Sequence, residues 1–201
     1  MMKKNKIFFI VNALHSKKNK NLKKLIRTKF LSEKYDVNIL ISEYKGHCIK
    51  LAEEAVEKKA NIVVACGGDG TINEVGQSLI KKPVLLGVIP LGSGNGFARH
   101  FNIPRNLNYA LDIISKNFST TIDVGKINKR FFFSNFGLGV EAKFIEEYSK
   151  IKTRGLLGYI ISFFKIISTY KKQKIEIEFN TIRKKIFPFL FLISNTSEQG
   201  Y

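Results

Sequence analysis

Short apolar runs alternate along this chain with segments whose apolar residues recur at helical spacing. Residues 7–11, 37–41, 62–65 and 84–89 are compact apolar stretches of strand length. Residues 22–31 and 49–58 read as helices; in the second, Leu51, Ala55 and Val56 form an inner face and Glu53, Glu54 and Glu57 an outer one. A short helix is expected over 97–101 and a further one over 107–115. Strands and helices in alternation predict a parallel sheet covered by helices on both faces. Near residue 121 the pattern changes. Residues 121–127, 130–135, 174–179 and 185–194 read as strands, most with no helix between them, and helical stretches near 140–148 and 156–170 interrupt the series. The expected fold class is α/β, with a parallel-sheet domain over residues 1–122 and the start of a mostly antiparallel domain over 123–201.

Composition changes this picture in three places. Of 201 residues 44% are hydrophobic, enough for a real core, so the chain is not a disordered one. The net charge of +18 is extreme, and the first thirty residues carry ten Lys or Arg and no acid. An anionic partner is one reading of that charge: a nucleotide, an anionic membrane surface or nucleic acid. A codon bias toward Lys, Asn, Ile and Phe is the other. No nucleic-acid-binding signature is present, so no nucleic acid is expected as partner. Cys48 and Cys66 form neither a disulfide framework nor a zinc pattern, and Cys66, ending a buried strand, reads as an inert core thiol. This usage fits a reducing, cytoplasmic compartment. Residues 1–14 resemble a signal peptide superficially, but Asn12 interrupts the short apolar run and lysines follow it. The apolar stretch 156–168 contains Lys165 and is too short to span a bilayer.

The chemistry concentrates in two glycine-rich turns, each directly after a buried strand. The first is Gly67-Gly68-Asp69-Gly70-Thr71-Ile72-Asn73-Glu74 and the second Pro90-Leu91-Gly92-Ser93-Gly94-Asn95-Gly96. Glycines let backbone N–H groups approach phosphate without a Cβ in the way, so two such loops on one sheet edge suit a polyphosphate. Asp69 is a turn-former, a group that orients Mg²⁺, or a proton acceptor. Thr71 and Glu74 have the spacing of a capping box, a structural reading beside any functional one. Asn73 faces a ligand or bonds the turn. The Ser93 hydroxyl can donate to phosphate, and Asn95 is expected to cap the helix over 97–101. Arg99 faces phosphate or solvent, and His47 is a turn or cap residue. No Cys, His and acid cluster has ligand spacing, so no protein-built metal site is expected. Nucleotide-dependent phosphoryl transfer is the reaction these loops suggest.

The two loops, with Val75 after the first and Phe97-Ala98-Arg99 after the second, closely resemble the diacylglycerol kinase / sphingosine kinase-like lipid kinases, in particular their soluble bacterial members. Ser42-Glu43-Tyr44-Lys45-Gly46-His47 resembles the family segment whose leading Thr or Ser touches ATP. Phe136-Gly137-Leu138-Gly139-Val140-Glu141-Ala142 is similar to its Gly-x-Gly-Phe-Asp-Ala stretch, and Arg154-Gly155-Leu156-Leu157-Gly158-Tyr159 to the helix that follows. The resemblance implies a two-domain enzyme with ATP in the cleft and a C-terminal β-sandwich that helps bind the lipid. It implies that Ser42, Gly67, Gly68, Asp69, Gly70, Thr71, Ile72, Asn73, Gly92, Ser93, Gly94 and Asn95 bind ATP, with Asn12 the survivor of the family's opening turn. Asp69 would sit beside the transferred phosphate, linked to Mg²⁺ or acting as base. The γ-phosphoryl of ATP would move to the hydroxyl of a diacylglycerol- or sphingoid-like lipid. A less favoured reading is an NAD kinase-like enzyme sharing the first loop, and another is a nucleotide-binding remnant without catalysis.

The departures from the family pattern matter as much. The family's Asn-Pro-x-Ser-Gly turn is here Asn12-Ala13-Leu14-His15-Ser16, beside Lys17, Lys18 and Lys20, and Glu141 stands where the family has Asp. The chain stops at Ser194-Asn195-Thr196-Ser197-Glu198-Gln199-Gly200-Tyr201, and the expectation is a truncated sandwich that leaves Phe187, Phe189, Leu190, Phe191 and Leu192 uncovered. A second chain or a dimer is then expected to complete it. Peripheral contact with the anionic inner membrane face is expected from the basic charge and the Phe- and Ile-rich segments.

Overall fold

The computed structural model describes residues 4–16, 20–140, 142–143, 163–166 and 170–197, without the side chains of His15 and Ser16. The chain folds into two units: Met1–Ser134 with Asn195–Tyr201, and Asn135–Ser194.

The first unit is built on a four-stranded parallel sheet in the order β2-β1-β3-β4. Its strands are β1 Asn5–Val11, β2 Tyr35–Ile41, β3 Ile62–Gly67 and β4 Leu85–Pro90. Helices α1 Ala13–Ser16, α2 Leu22–Lys29, α3 His47–Glu57, α4 Asp69–Leu79, α5 Gly96–His100 and α6 Leu107–Ser115 connect or follow them. Alternation along each strand sorts the core into two layers. Phe8, Ile10, Val63 and Ala65 meet Leu51 and Ala55 of α3 and Ile72 and Val75 of α4. Ile7, Phe9, Val11, Ile62 and Val64 meet Leu22 and Ile26 of α2 and Leu111 and Ile114 of α6. Every residue of β3 is buried, which is why its sequence is a continuous apolar run. Each such Val or Ile contributes about 1.5–3 kcal/mol on burial. The fold is thus the expected parallel α/β layer arrangement, with one- or two-residue shifts in several element ends.

Register decides what the sheet presents at its carboxyl edge. β3 pairs with β4 so that Gly67 lies opposite Pro90, and the ladder continues one step further through Leu91 N donating to Gly67 O at 2.9 Å. The two glycine loops therefore leave the sheet side by side. β1 pairs on its two sides with β2 and β3, so the chain reverses its direction of travel through the sheet between β1 and β3.

The strand expected over 121–127 is shorter than the apolar pattern suggests. Only β5 Gly125–Ile127 is regular, paired antiparallel with β6 Arg130–Phe132. β6 ends at Phe132, and the next residue, Phe133, is buried against Gly76 of α4.

The second unit holds β7 Asn135–Gly139, β8 Ile175–Phe179, β9 Ile182–Ile186 and β10 Leu190–Ser194. β7 pairs with β10 and β8 with β9, both antiparallel. The strand expected over 185–194 is in fact two, β9 and β10, parted at Phe187-Pro188-Phe189, where proline has no N–H to give a ladder. Phe187, Phe189 and Leu190 are exposed, whereas Phe191 and Leu192 are half-buried. Of the helices expected over 140–148 and 156–170, residues 140, 142–143 and 163–166 are helical. Glu141, Lys17, Lys18, Arg154 to Tyr159 and the last four residues lie outside the described residues.

Candidate functional site

The site is assembled where β1, β2, β3 and β4 end. In open parallel sheets ligands bind outside the carboxyl ends of the strands, at the point where strand order reverses. That point here lies between Asn12, after β1, and the first glycine loop, after β3. Asn12 Nδ2 donates to Thr71 Oγ1 at 3.2 Å, and Asn12 Oδ1 accepts from Leu14 N at 3.0 Å. Ser42, after β2, is buried; its N donates to Val11 O at 2.9 Å and its Oγ accepts from Ala13 N at 3.2 Å. Asn12, Ser42 and Thr71 are thus one connected group across three adjacent strands.

The first loop is tight because α4 begins inside it. Gly68 is the N-cap in extended conformation, and Thr71 N and Ile72 N both donate to its carbonyl. A Cβ on Gly67 would lie 2.2 Å from Thr71 Oγ1, so only glycine fits there. The space above Gly70 is open. Ile72 is 1% exposed and packs in the core. Asn73 is half-buried, its carbonyl accepting from Gln77 Nε2 at 3.3 Å.

The capping box at Thr71 and Glu74 does not form. Thr71 turns to Asn12, and Glu74 Oε1 accepts from Gly46 N at 3.3 Å, serving the N-terminus of α3 instead. Packing of α4 against α3 decided this, a relation no local pattern carries. Glu74 also lies beside Cys48. Burial pushes the Cys48 thiol above its ordinary range, a hydrogen bond with Ser42 opposes that, and the Glu74 carboxylate adds to it. His47 closes a turn: its Nδ1 accepts from Glu43 N at 3.1 Å, and its ring stacks on Tyr44 with centroids 4.4 Å apart.

The second loop packs on the first, backbone to backbone. A Cβ on Gly92 would stand 2.7 Å from Gly68 Cα. Asn95 does not cap α5 with its side chain as expected. It sits in the left-handed region (φ 56°, ψ 46°), and its side chain folds back, Oδ1 accepting from Gly92 N at 2.8 Å and Nδ2 donating to Gly92 O at 2.7 Å. Asp69 fills the cap role from the other loop. Its Oδ2 accepts from Gly96 N at 3.0 Å and its Oδ1 from Phe97 N at 2.8 Å. Ser93 is exposed, Gly94 is half-buried, and Arg99 points to the exposed side of α5.

Two participants have no motif to announce them. Arg105 Nη2 donates to Gly92 O at 3.2 Å and to Ser93 O at 3.3 Å, setting a guanidinium against the second loop. His100, at the end of α5, holds Ser197: Ser197 N donates to its Nδ1 at 3.2 Å and Ser197 Oγ lies 2.9 Å away. Asn195 anchors the same segment, its N donating to Ser134 O at 2.7 Å and its Nδ2 to Asp123 O at 2.9 Å. The Pro104-Arg105 step after α5 was the only local signal for the first, and sequence distance hid the second.

Chemically the edge offers glycine backbone, hydroxyls, amides, one carboxylate and one guanidinium, a donor set suited to phosphate oxygens. Among the described residues no three His, Cys, Asp or Glu side chains converge on one point. A single carboxylate beside a phosphate cradle suits Mg²⁺, which takes few protein ligands and shares phosphate oxygens and water.

Comparison with known proteins agrees with this geometry. Residues 6–127 match the family model of the diacylglycerol kinase catalytic domain. The diacylglycerol kinases of Staphylococcus aureus strains JH9 and Newman are each 33% identical over 151 residues, covering 73% of this chain and 48% of the relative. The chain spans about half the length of the curated relatives it matches. A crystal structure of a diacylglycerol kinase from Bacillus anthracis str. Sterne superposes with a TM-score of 0.69 at 25% identity, covering 98% of this chain and 66% of that one.

Proposed function

This chain belongs to the diacylglycerol kinase catalytic domain family, and on that premise we propose that it works in an ATP-dependent lipid kinase. The γ-phosphoryl group would pass to the hydroxyl of a diacylglycerol- or sphingoid-like lipid. Residues 1–122 would be the nucleotide-binding part and 123–201 the start of a lipid-binding part. The observation that carries this reading is the pair of glycine loops packed together at the reversal point of the sheet, joined to Asn12, Ser42 and Thr71.

Each residue has a defined task. Backbone of Gly67, Gly68, Gly70 and Gly94 would form the phosphate cradle, while Ile72 and Gly92, whose N–H groups donate to Gly68 O and Asn95 Oδ1, would hold its two turns in place. Ser42, Thr71, Asn73 and Ser93 supply polar side chains around it, and Asn12 and Asn95 shape the two turns. Arg105 adds positive charge at the second loop. Asp69 uses two of its carboxylate lone pairs on Gly96 and Phe97, and a carboxylate has about four such sites. The remaining ones are the candidates for an Mg²⁺-linked or proton-accepting role. Mg²⁺, when bound, would neutralise charge developing on the phosphate oxygens. Everything else in phosphoryl transfer is positioning, which a rigid two-loop cradle provides.

Peripheral membrane contact on the cytoplasmic side completes the proposal. The net charge of +18 supports attraction to anionic lipid. The hairpin β8–β9 supports insertion: Ile175, Ile177 and Phe179 share a face with Ile182, Lys184 and Ile186, with Phe179 68% and Ile182 63% exposed. Binding to anionic vesicles at low salt and its loss at moderate salt is the expected result; no binding at low salt removes this part.

The deciding experiment is turnover of Mg²⁺-ATP with mixed lipid micelles, wild type beside Asp69→Asn. Lipid phosphorylation that the variant loses is expected. A wild-type chain that binds no ATP, or that phosphorylates NAD and no lipid, overturns the proposal. ATP bound without turnover restricts this chain to nucleotide binding.

A further inference from the structure

We infer that Asp69 is a positioning residue that locks the second glycine loop onto the first. The inference rests on the reading of these loops as a phosphate cradle, and adds that the cradle is set before nucleotide arrives.

A helix leaves its first N–H groups without intrahelical partners, and a side chain from the N-cap residue usually meets them. Helix α5 has lost that option. Its N-cap, Asn95, is turned into the left-handed region, and both polar atoms of its side chain are engaged by Gly92. The N–H groups of Gly96 and Phe97 are supplied instead by the two oxygens of Asp69, which precedes them by 27 and 28 residues. Gly96 and Phe97 are buried, so water does not easily replace a missing acceptor. One carboxylate thus bridges the first turn of α4 to the first turn of α5. Three further features tighten the bridge: the Gly68–Gly92 backbone approach, the Leu91 N to Gly67 O bond, and the Phe97 ring, which packs on Phe101 and Phe133. A residue whose whole task was proton abstraction would not need both oxygens facing backbone donors of another loop.

The experiment is amide hydrogen exchange at Gly96 and Phe97 in the nucleotide-free chain, with Mg²⁺-ATP affinity by calorimetry, in wild type, Asp69→Asn and Asp69→Ala. Asparagine keeps one acceptor oxygen and turns a donor toward the other amide. At least tenfold faster exchange at one of the two amides is expected in Asp69→Asn, and at both in Asp69→Ala, with the β1 and β3 amides unchanged. Mg²⁺-ATP affinity should fall in the same order, at least tenfold for Ala. Unchanged exchange and affinity, with turnover alone lost, would assign Asp69 to proton transfer and overturn the inference. Where Asp69→Ala also loosens β1 and β3, the single-amide pattern in Asp69→Asn decides. Faster exchange in a chain whose wild type binds no nucleotide would leave the lock standing and remove the kinase reading instead.

Discussion

The amide of Asn12 donates to the hydroxyl oxygen of Thr71 at 3.2 Å, across 59 residues, at the point where strand order in the sheet reverses. This bond ties the end of β1 to the first turn of α4, and so joins the first glycine loop to the sheet through a side chain as well as through the chain itself. This contact is a physical reason for an asparagine at the end of β1.

Replacing Asn12 by alanine removes that bond and the one from Leu14 N to its Oδ1. The expected loss of stability is about 1–2 kcal/mol, for one partly buried hydrogen bond at roughly 0.5–1.5 kcal/mol and one exposed bond at the low end of that range. Urea unfolding measures it. Nucleotide affinity should fall with it; an unchanged Kd would separate the Asn12–Thr71 tie from the cradle.

Gly67→Ala should be harsher. Its new Cβ would meet three atoms of Thr71 within 2.9 Å, the nearest being Oγ1 at 2.2 Å, at the root of the first turn of α4. Something must move, at a cost of about 1–3 kcal/mol. Gly70→Ala, where a Cβ meets nothing within 4 Å, is the control and should fold like wild type. A comparison of thermal midpoints tests the pair, and equal midpoints would contradict the loop geometry.

At Asn95 the two expected contributions can be separated. Asn95→Ala loses both bonds to Gly92 and places an alanine at φ 56°, so it should cost about 2–4 kcal/mol. Asn95→Gly loses the bonds and keeps the conformation, so it should retain roughly 1–2 kcal/mol of that. Paired denaturation curves show the order, and alanine equal to glycine would mean that the left-handed turn is not strained.

Cys66 predicts a dependence on pH. Burial pushes its thiol far above the ordinary range, and neighbouring Cys48 adds to that. An unfolded thiol ionises near pH 8.5 or so. The sign follows from proton counts: above about pH 8.5 the unfolded chain has released the proton while the folded chain keeps it, so stability falls as pH rises. The contribution is fully present below that pH, and its slope is about 1.4 kcal/mol per pH unit. Urea titrations between roughly pH 7 and 10 should show a shallower decline for Cys66→Ala than for wild type; parallel curves would refute the assignment.

Much of the fold was legible locally. A fully buried strand must be apolar on both faces, and β3 reads so; α3 presents Leu51 and Ala55 inward at helical spacing. The glycine loops were legible because only glycine allows the close approach seen at Gly67 and Gly92. The antiparallel region was less so. Residues 185–194 look like one strand by hydrophobicity, and the break at Pro188 is set by a missing N–H. Capping was misread twice for one reason. The Thr71–Glu74 spacing and the placement of Asn95 are local signals, while the acceptors actually used, Glu74 for Gly46 and Asp69 for Gly96 and Phe97, come from elements far along the chain.

The sequence by itself determined the alternation of strands and helices, the two loops that follow β3 and β4, and the family those loops carry, because periodicity and glycine placement are properties of neighbouring residues. Only the tertiary structure decided which donor meets which acceptor. Parallel pairing places Gly67 opposite Pro90, so both loops start at one level, and only then do Asp69 and the amides of α5 come within hydrogen-bonding distance. A hydrogen bond is directional and short-ranged, so it depends on register and packing, which no single segment contains.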